Sequence, residues 1–258
     1  MTQTSASIDV CLPPEARMFG LRLHCVTLAD AEVCAAGFIE RGTPRMIVTA
    51  DASGIIRALD DPEMREILNS ADLVTPDGAG VVLAARILGL PIRDRCPGCD
   101  LVERLCQVAR DHGRPVYLFG AAPGVADDAA RNLQARVEGL AVAGCRDGYF
   151  TPEDEPGIVA EIKAANPAVL FVALGIPRQE KWIQRYMQEL DVPVCIGIGG
   201  SFDVISGRKK RAPKWMQQAG LEWLYRTAKE PSRLPRLKAL PRIVWLAAIT
   251  RLGLCRCR

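Results

Sequence analysis

Among the 258 residues only two are histidine, His24 and His112. A zinc site built on the pair in Cys96-Pro97-Gly98-Cys99 would need two further ligands. With imidazoles this scarce, the segment reads as a loop that carries two thiols, even with Cys255 and Cys257 far downstream. Long apolar runs are missing too. No stretch approaches the roughly 18–20 apolar residues that cross a bilayer, and Met1–Asp9 lacks the basic-then-apolar order of a signal peptide, so a cytoplasmic chain is expected. Net charge is small, and +3 is too little to suggest a nucleic-acid binder. There is no internal repeat, no low-complexity tract and no linker before about residue 205.

Acid is missing from one region. Beyond Glu230 the chain carries Arg233, Arg236, Lys238, Arg242, Arg251, Arg256 and Arg258 and no Asp or Glu, which leaves the preceding body mildly acidic. What is present in quantity is apolar surface: 49% hydrophobic against 24% charged residues is enough for a substantial core. Ten cysteines would suggest a disulfide scaffold in a small secreted protein, but here they sit in stretches such as Leu105-Cys106 and Val194-Cys195. They read as reduced, buried thiols.

Apolar, β-branched runs alternate with helix-like stretches, the pattern of a parallel sheet covered on both faces and hence of an α/β fold. Strands are expected at Arg45–Thr49, Leu73–Thr75, Val116–Phe119, Ala141–Cys145, Val169–Ala173 and Val194–Ile198. Helices fill the intervals, over Ala29–Arg41, Pro62–Ser70, Gly80–Leu88, Asp100–His112, Gly124–Val137, Ile158–Ala165 and Gln179–Gln188. We expect an N-terminal tail at 1–20, the α/β body at 21–207 and a C-terminal appendage at 208–258. In the appendage Leu234, Leu237, Leu240, Val244, Trp245 and Leu252 alternate with basic residues. That is the pattern of an interfacial amphipathic segment; a helix docked on the domain's own core is the alternative.

In open α/β sheets ligands bind beyond the carboxyl ends of the strands, which directs attention to Thr49-Ala50-Asp51 and to four further turns. Asp77, after an apolar strand and before Gly78 and Gly80, suits a general base, although Pro-Asp-Gly also serves as a plain turn. Gly120 to Gly124 leads into a helix whose free amides could hold a diphosphate, or is an ordinary α/β turn without the Gly-x-Gly-x-x-Gly fingerprint. Gly175-Ile176-Pro177-Arg178-Gln179-Glu180 could meet a ligand or cap a helix. Gly199-Gly200-Ser201-Phe202-Asp203 could cradle a ligand or turn the chain. No two aspartates stand two apart, so the Asp-x-Asp pair that often holds a divalent ion is absent; no metal and no cofactor is expected. A departing diphosphate would then be stabilised by side-chain cations, for which Arg95, Arg226, Arg233 and Arg236 are available.

Taken in order, Pro76-Asp77-Gly78, Arg95-x-Pro97-Gly98-x-Asp100, Gly120-x-x-Pro123, Gly148-Tyr149-Phe150, Gly175-x-Pro177-x-Gln179-Glu180, Gly199-Gly200-x-Phe202-Asp203, Arg211-Ala212-Pro213, Glu222-Trp223-x-x-Arg226 and Glu230-Pro231-x-Arg233 resemble the WecG/TagA/CpsF glycosyltransferase family, from about residue 20 to 236. The resemblance implies a Rossmann-like α/β domain with a C-terminal appendage at the cytoplasmic face of the membrane. It also implies metal-independent, inverting transfer of a sugar from a UDP-sugar to a polyprenyl-diphosphate-linked saccharide, in the synthesis of exopolysaccharide, capsule or a teichoic-acid-type polymer. By matching motif, Asp77 takes the role of catalytic base. Thr49 and Gln179 become polar active-site residues, and Asp51, Arg95, Gly120, Pro123, Gly199 and Gly200 join the substrate pocket. Arg226, Arg233 and Arg236 become appendage arginines that meet the diphosphate. Asp51 departs from the family, which usually has Asn there; a second carboxylate beside Asp77 would raise its pKa or share its role. Two other readings are a nucleotide-cofactor α/β enzyme, which would need a glycine fingerprint after its first strand, and a non-catalytic peripheral membrane module. Self-association through exposed apolar surface is left open.

Overall fold

A computed structural model describes residues 12–230 and 237–254. All six expected strands form, and they make one sheet: β3 (Arg45–Ala50), β4 (Leu73–Pro76), β5 (Val116–Gly120), β6 (Val142–Arg146), β7 (Val169–Ala173) and β8 (Val194–Gly197), in the order β4-β3-β8-β7-β5-β6. Every pairing is parallel, with Val48 opposite both Val74 and Gly197, and Phe119 opposite Val172. The strands are short and almost wholly apolar because both faces are covered. Side chains alternate across the pleat: Met46, Val48, Phe119, Leu170 and Val172 belong to one core, and Ile47, Leu118, Val169, Phe171 and Ile196 to the other.

Helices cover both faces. On the first lie α2 (Ala52–Asp60), α3 (Pro62–Ser70), α4 (Ala79–Leu88), α7 (Glu155–Ala165) and α8 (Arg178–Leu190). On the second lie α1 (Leu28–Arg41), α5 (Gly98–Asp111), α6 (Val125–Arg136) and the short α9 (Ser201–Ile205). Two elements lie outside the expectations. Residues 15–24 form an antiparallel hairpin, β1 (Glu15–Met18) and β2 (Leu21–His24), with Met18, Leu21 and Leu23 fully buried. The expected tail therefore joins the core from Ala16 onward; Glu15-Ala16-Arg17-Met18 and Leu21-Arg22-Leu23-His24 do alternate, but over only four residues each, and the turn places Phe19 at φ 54. Helix α2 begins directly after β3, with the Asp51 carboxylate accepting from the Gly54 N–H at 2.7 Å as its N-cap.

After residue 207 come α10 (Lys214–Gln218), α11 (Glu222–Lys229) and α12 (Ala239–Arg251). Helix α12 lies against α4 and α2 and buries Ala239, Ile243, Leu246 and Ala247, residues at helical spacing other than those the interfacial pattern named, so the helix is docked on the domain as in the alternative reading. Arg242 forms a two-pronged pair with Asp60 of α2, at 2.7 and 2.8 Å. Trp245 faces outward, 59% exposed. No described helix is long and apolar enough to cross a membrane.

Candidate active site

The carboxyl ends of β3, β4, β7 and β8 open into a cleft of about 1220 Å³, closed on its far side by α11 and by Leu237 and Leu240. Asp77 stands on its floor. Its N–H is tied to the Ala50 carbonyl at 2.9 Å, and Gly78 at φ 87 turns the chain from β4 into α4. The loop before α5 is clasped to the same strand end: the Cys96 N–H donates to the Pro76 carbonyl at 2.7 Å, and the Gly98 N–H donates to Asp77 Oδ2 at 3.2 Å. Burial pushes the Asp77 carboxyl up to about 6, and the negative charge of Asp51 adds to that. The Gly98 N–H and the Arg226 guanidinium pull the other way. A half-buried carboxylate poised near neutrality, with an amide holding one oxygen, is fitted to accept a proton.

Thr49, Asp51, Gln179, Gly199 and Gly200 also line the cleft. Thr49 Oγ1 donates to the Gly197 carbonyl at 3.0 Å, which leaves its lone pairs available. Gln179 is more constrained than its expected role implies. Its Oε1 accepts from the Gly175 N–H at 3.1 Å and the Gly199 N–H at 2.9 Å, and its Nε2 donates to Glu180 Oε1 at 2.7 Å. Gln179 thus braces the β7–α8 and β8–α9 turns against each other, and the Gly199 amide is already committed to it. Glu180, absent from the expected set, is 1% exposed, and burial pushes its carboxyl up to about 7.

Gly120 and Pro123 do not line the cleft; Ala121 and Ala122 between them do. Gly120 instead allows close approach of strands: at φ 116, a Cβ there would lie 2.6 Å from the carbonyl carbon and oxygen of Ala173. The Pro123 carbonyl accepts from Arg208 at 3.3 Å.

Cations gather in the same cleft as Asp77. Arg95, Arg211 and Arg226 all line the cleft. Arg95 Nη2 donates to the Gln217 carbonyl at 2.6 Å, Arg211 grips Asp100 with both terminal nitrogens, and Arg226 Nη2 donates to Cys99 Sγ at 3.5 Å. Arg211 and Glu222 stand in the Arg211-Ala212-Pro213 and Glu222-Trp223-x-x-Arg226 motifs, of which the sequence assigns a site role to Arg226 alone; the fold brings all three to the cleft. Arg233 and Arg236 lie outside the described residues. Among the described residues no three His, Cys, Asp or Glu side chains cluster as a metal site would require.

The chain as a whole has counterparts among known proteins. The chain matches the glycosyl transferase WecG/TagA/CpsF family over residues 16–256, which spans both floor and wall of the cleft. It is 35% identical over 207 residues to an N-acetylglucosaminyldiphosphoundecaprenol N-acetyl-beta-D-mannosaminyltransferase of Bacillus spizizenii, covering 80% of each chain. Proteins of the same name from Bacillus subtilis and from Staphylococcus aureus strain MW2 are also 35% identical. They cover 80% and 76% of this chain, and 79% and 76% of their own. With the family match running from the first strand to beyond α12, this chain belongs to the WecG/TagA/CpsF family and is a glycosyltransferase.

Proposed function

We propose that this enzyme transfers a sugar from a UDP-sugar to an undecaprenyl-diphosphate-linked saccharide, with inversion, in building a cell-surface polymer such as an exopolysaccharide, a capsule or a teichoic-acid-type chain. The observation that carries the reading is that Asp77 and the arginines Arg95, Arg211 and Arg226 line one cleft. Asp77 takes the proton from the acceptor hydroxyl, the hydroxyl oxygen bonds to the anomeric carbon, and the bond from that carbon to the diphosphate breaks on the opposite face. The negative charge that develops on the departing UDP is met by Arg95, Arg211 and Arg226. Guanidiniums paired with phosphate oxygens do the work that a divalent ion does elsewhere, so transfer proceeds without metal. Thr49 holds a sugar or acceptor hydroxyl. Gln179 acts one step removed, by fixing the two turns that shape the floor.

The acceptor's lipid fixes where the reaction happens. Trp215, Trp223 and Trp245, three of the chain's four tryptophans, are exposed, and the basic residues beyond Glu230 would draw the C-terminal segment to an anionic surface. We place the enzyme on the inner face of the plasma membrane, with α12 as a docked support rather than an inserted anchor.

The deciding measurement is UDP release from a panel of UDP-sugars with a short-chain lipid-diphosphate acceptor in EDTA. Wild type releases UDP with one donor, and Asp77→Asn lowers the rate by about 10²–10⁴-fold, the usual contribution of a general base. Release that needs added divalent ion, or that survives in Asp77→Asn, overturns the mechanism.

A further inference from the structure

Three guanidiniums on the cleft wall converge on one carboxylate. Glu222, at the start of α11, accepts from Arg226 Nη2 at 3.1 Å and Arg211 Nε at 3.4 Å with its Oε1, and its Oε2 lies 3.8 Å from Arg95 Nη1. Its side chain is 14% exposed, and those of Arg95, Arg211 and Arg226 are 27%, 24% and 25% exposed, so all four are shielded but open to the cleft. Arrays of this kind, guanidinium forks around an oxyanion, are how proteins hold phosphate. Here the oxyanion belongs to the protein.

We propose that Glu222 is a built-in competitor of the donor's diphosphate: it occupies guanidinium valences that the diphosphate needs, and so limits how tightly UDP-sugar and UDP are held. The inference rests on the assignment of the arginine wall to the diphosphate. What separates competition from simple bracing is that each arginine has a second anchor. Arg95 is held by the Gln217 carbonyl, Arg211 by Asp100 and Arg226 by Cys99. Neutralising Glu222 therefore leaves the guanidiniums in place and removes a negative charge from among them. A cluster that depended on Glu222 for its geometry would instead scatter by mutual repulsion. The functional consequence is release. A product that carries a diphosphate into three arginines would leave slowly, and a carboxylate waiting on the same donors offers them an exchange partner.

The experiment is calorimetric titration of full-length wild type, Glu222→Gln and Glu222→Asp with UDP and, separately, with inorganic diphosphate. Each variant's fold is checked by circular dichroism and thermal melting. Glu222→Gln is expected to lower the Kd for both ligands by about five- to twentyfold, as expected for removal of one partly screened like charge at short range. Glu222→Asp, whose carboxylate is drawn back, should fall between the two. In turnover the Glu222→Gln donor KM drops with the Kd while kcat does not rise. Unchanged or weaker binding of both ligands makes Glu222 a brace and overturns the proposal; if Glu222→Gln does not fold, the same criterion applies to Glu222→Asp. Tighter inorganic diphosphate with no UDP binding to any variant would leave the competitor standing and remove the UDP-sugar reading. UDP binding in all variants with no gain would do the reverse, and no binding of either ligand would overturn both.

Discussion

As the proposed general base, Asp77 must be ionised to accept a proton, yet its setting favours the neutral acid. Burial is the larger cause and Asp51 the second, and both raise the carboxyl, to about 6. The sign for catalysis follows: the active form appears as pH rises, so kcat/KM climbs through a midpoint near 6 and is lost below it. Asp51→Asn removes the second cause. The midpoint should move to lower pH, by less than the whole displacement from an ordinary aspartate because burial persists. The Asp51 N-cap on α2 survives as Asn, which caps equally well, so the thermal midpoint should change little. A pH profile of kcat/KM for the two proteins is the check. A limb that stays in place, or moves up, would show that Asp51 does not act on Asp77.

At the scale of elements, α12 is the piece whose role changes most between sequence and structure. Its basic residues and prolines point to an interface, but Ala239, Ile243, Leu246 and Ala247 form a stripe that α4 and α2 cover. Periodicity shows that a helix has an apolar face without showing what covers it. Ile243→Ala, at a site with no exposure, should destabilise the fold by about 2–5 kcal/mol in chemical denaturation; a loss below about 0.5 kcal/mol would mean that α12 is only loosely attached. The strands were legible for a simple reason: a strand buried on both faces must be apolar at every position, and Val116–Gly120 and Val169–Ala173 are. Helix α2 was hidden because Asp51-Ala52-Ser53-Gly54 has the composition of a turn, and hairpin residues 15–24 were hidden by brevity. For the site, residues adjoining strand ends, such as Thr49 and Asp77, could be read locally. Arg211 and Glu222 were visible only as motif members beside Arg226; that they meet Asp100 and Arg95 is set by the closed fold. Gln179 was legible as a site residue but not as a brace, because nothing in its neighbourhood announces that Gly199 will return to it.

For the molecule as a whole, the proposed lipid-linked acceptor makes the relation of the cleft to a bilayer the deciding feature. Leu237, Leu240 and Trp223 line the cleft, and Trp215, Trp245, Leu252 and Leu254 are well exposed in the same C-terminal region. An aromatic ring with an apolar body and a polar N–H belongs at a headgroup interface, and a polyprenyl chain cannot leave the bilayer for a distant site. Since α12 is also part of the core, deleting it would confound membrane binding with unfolding. Outward-facing substitutions avoid this. Trp215→Ala combined with Trp245→Ala should leave the thermal midpoint within a few degrees of wild type, because exposed positions contribute little to packing. Sedimentation with anionic vesicles should fall by roughly tenfold for the pair, in line with the apolar area withdrawn from the interface. Raising salt should weaken the remaining binding, since attraction between the basic C-terminal segment and an anionic surface is screened beyond a Debye length. Turnover separates the two roles. With a short, water-soluble lipid-diphosphate analogue the double variant should match wild type, whereas with a full-length acceptor in vesicles it should slow in proportion to the lost binding. Equal loss on both acceptors would place these tryptophans in the catalytic cleft rather than on the membrane face.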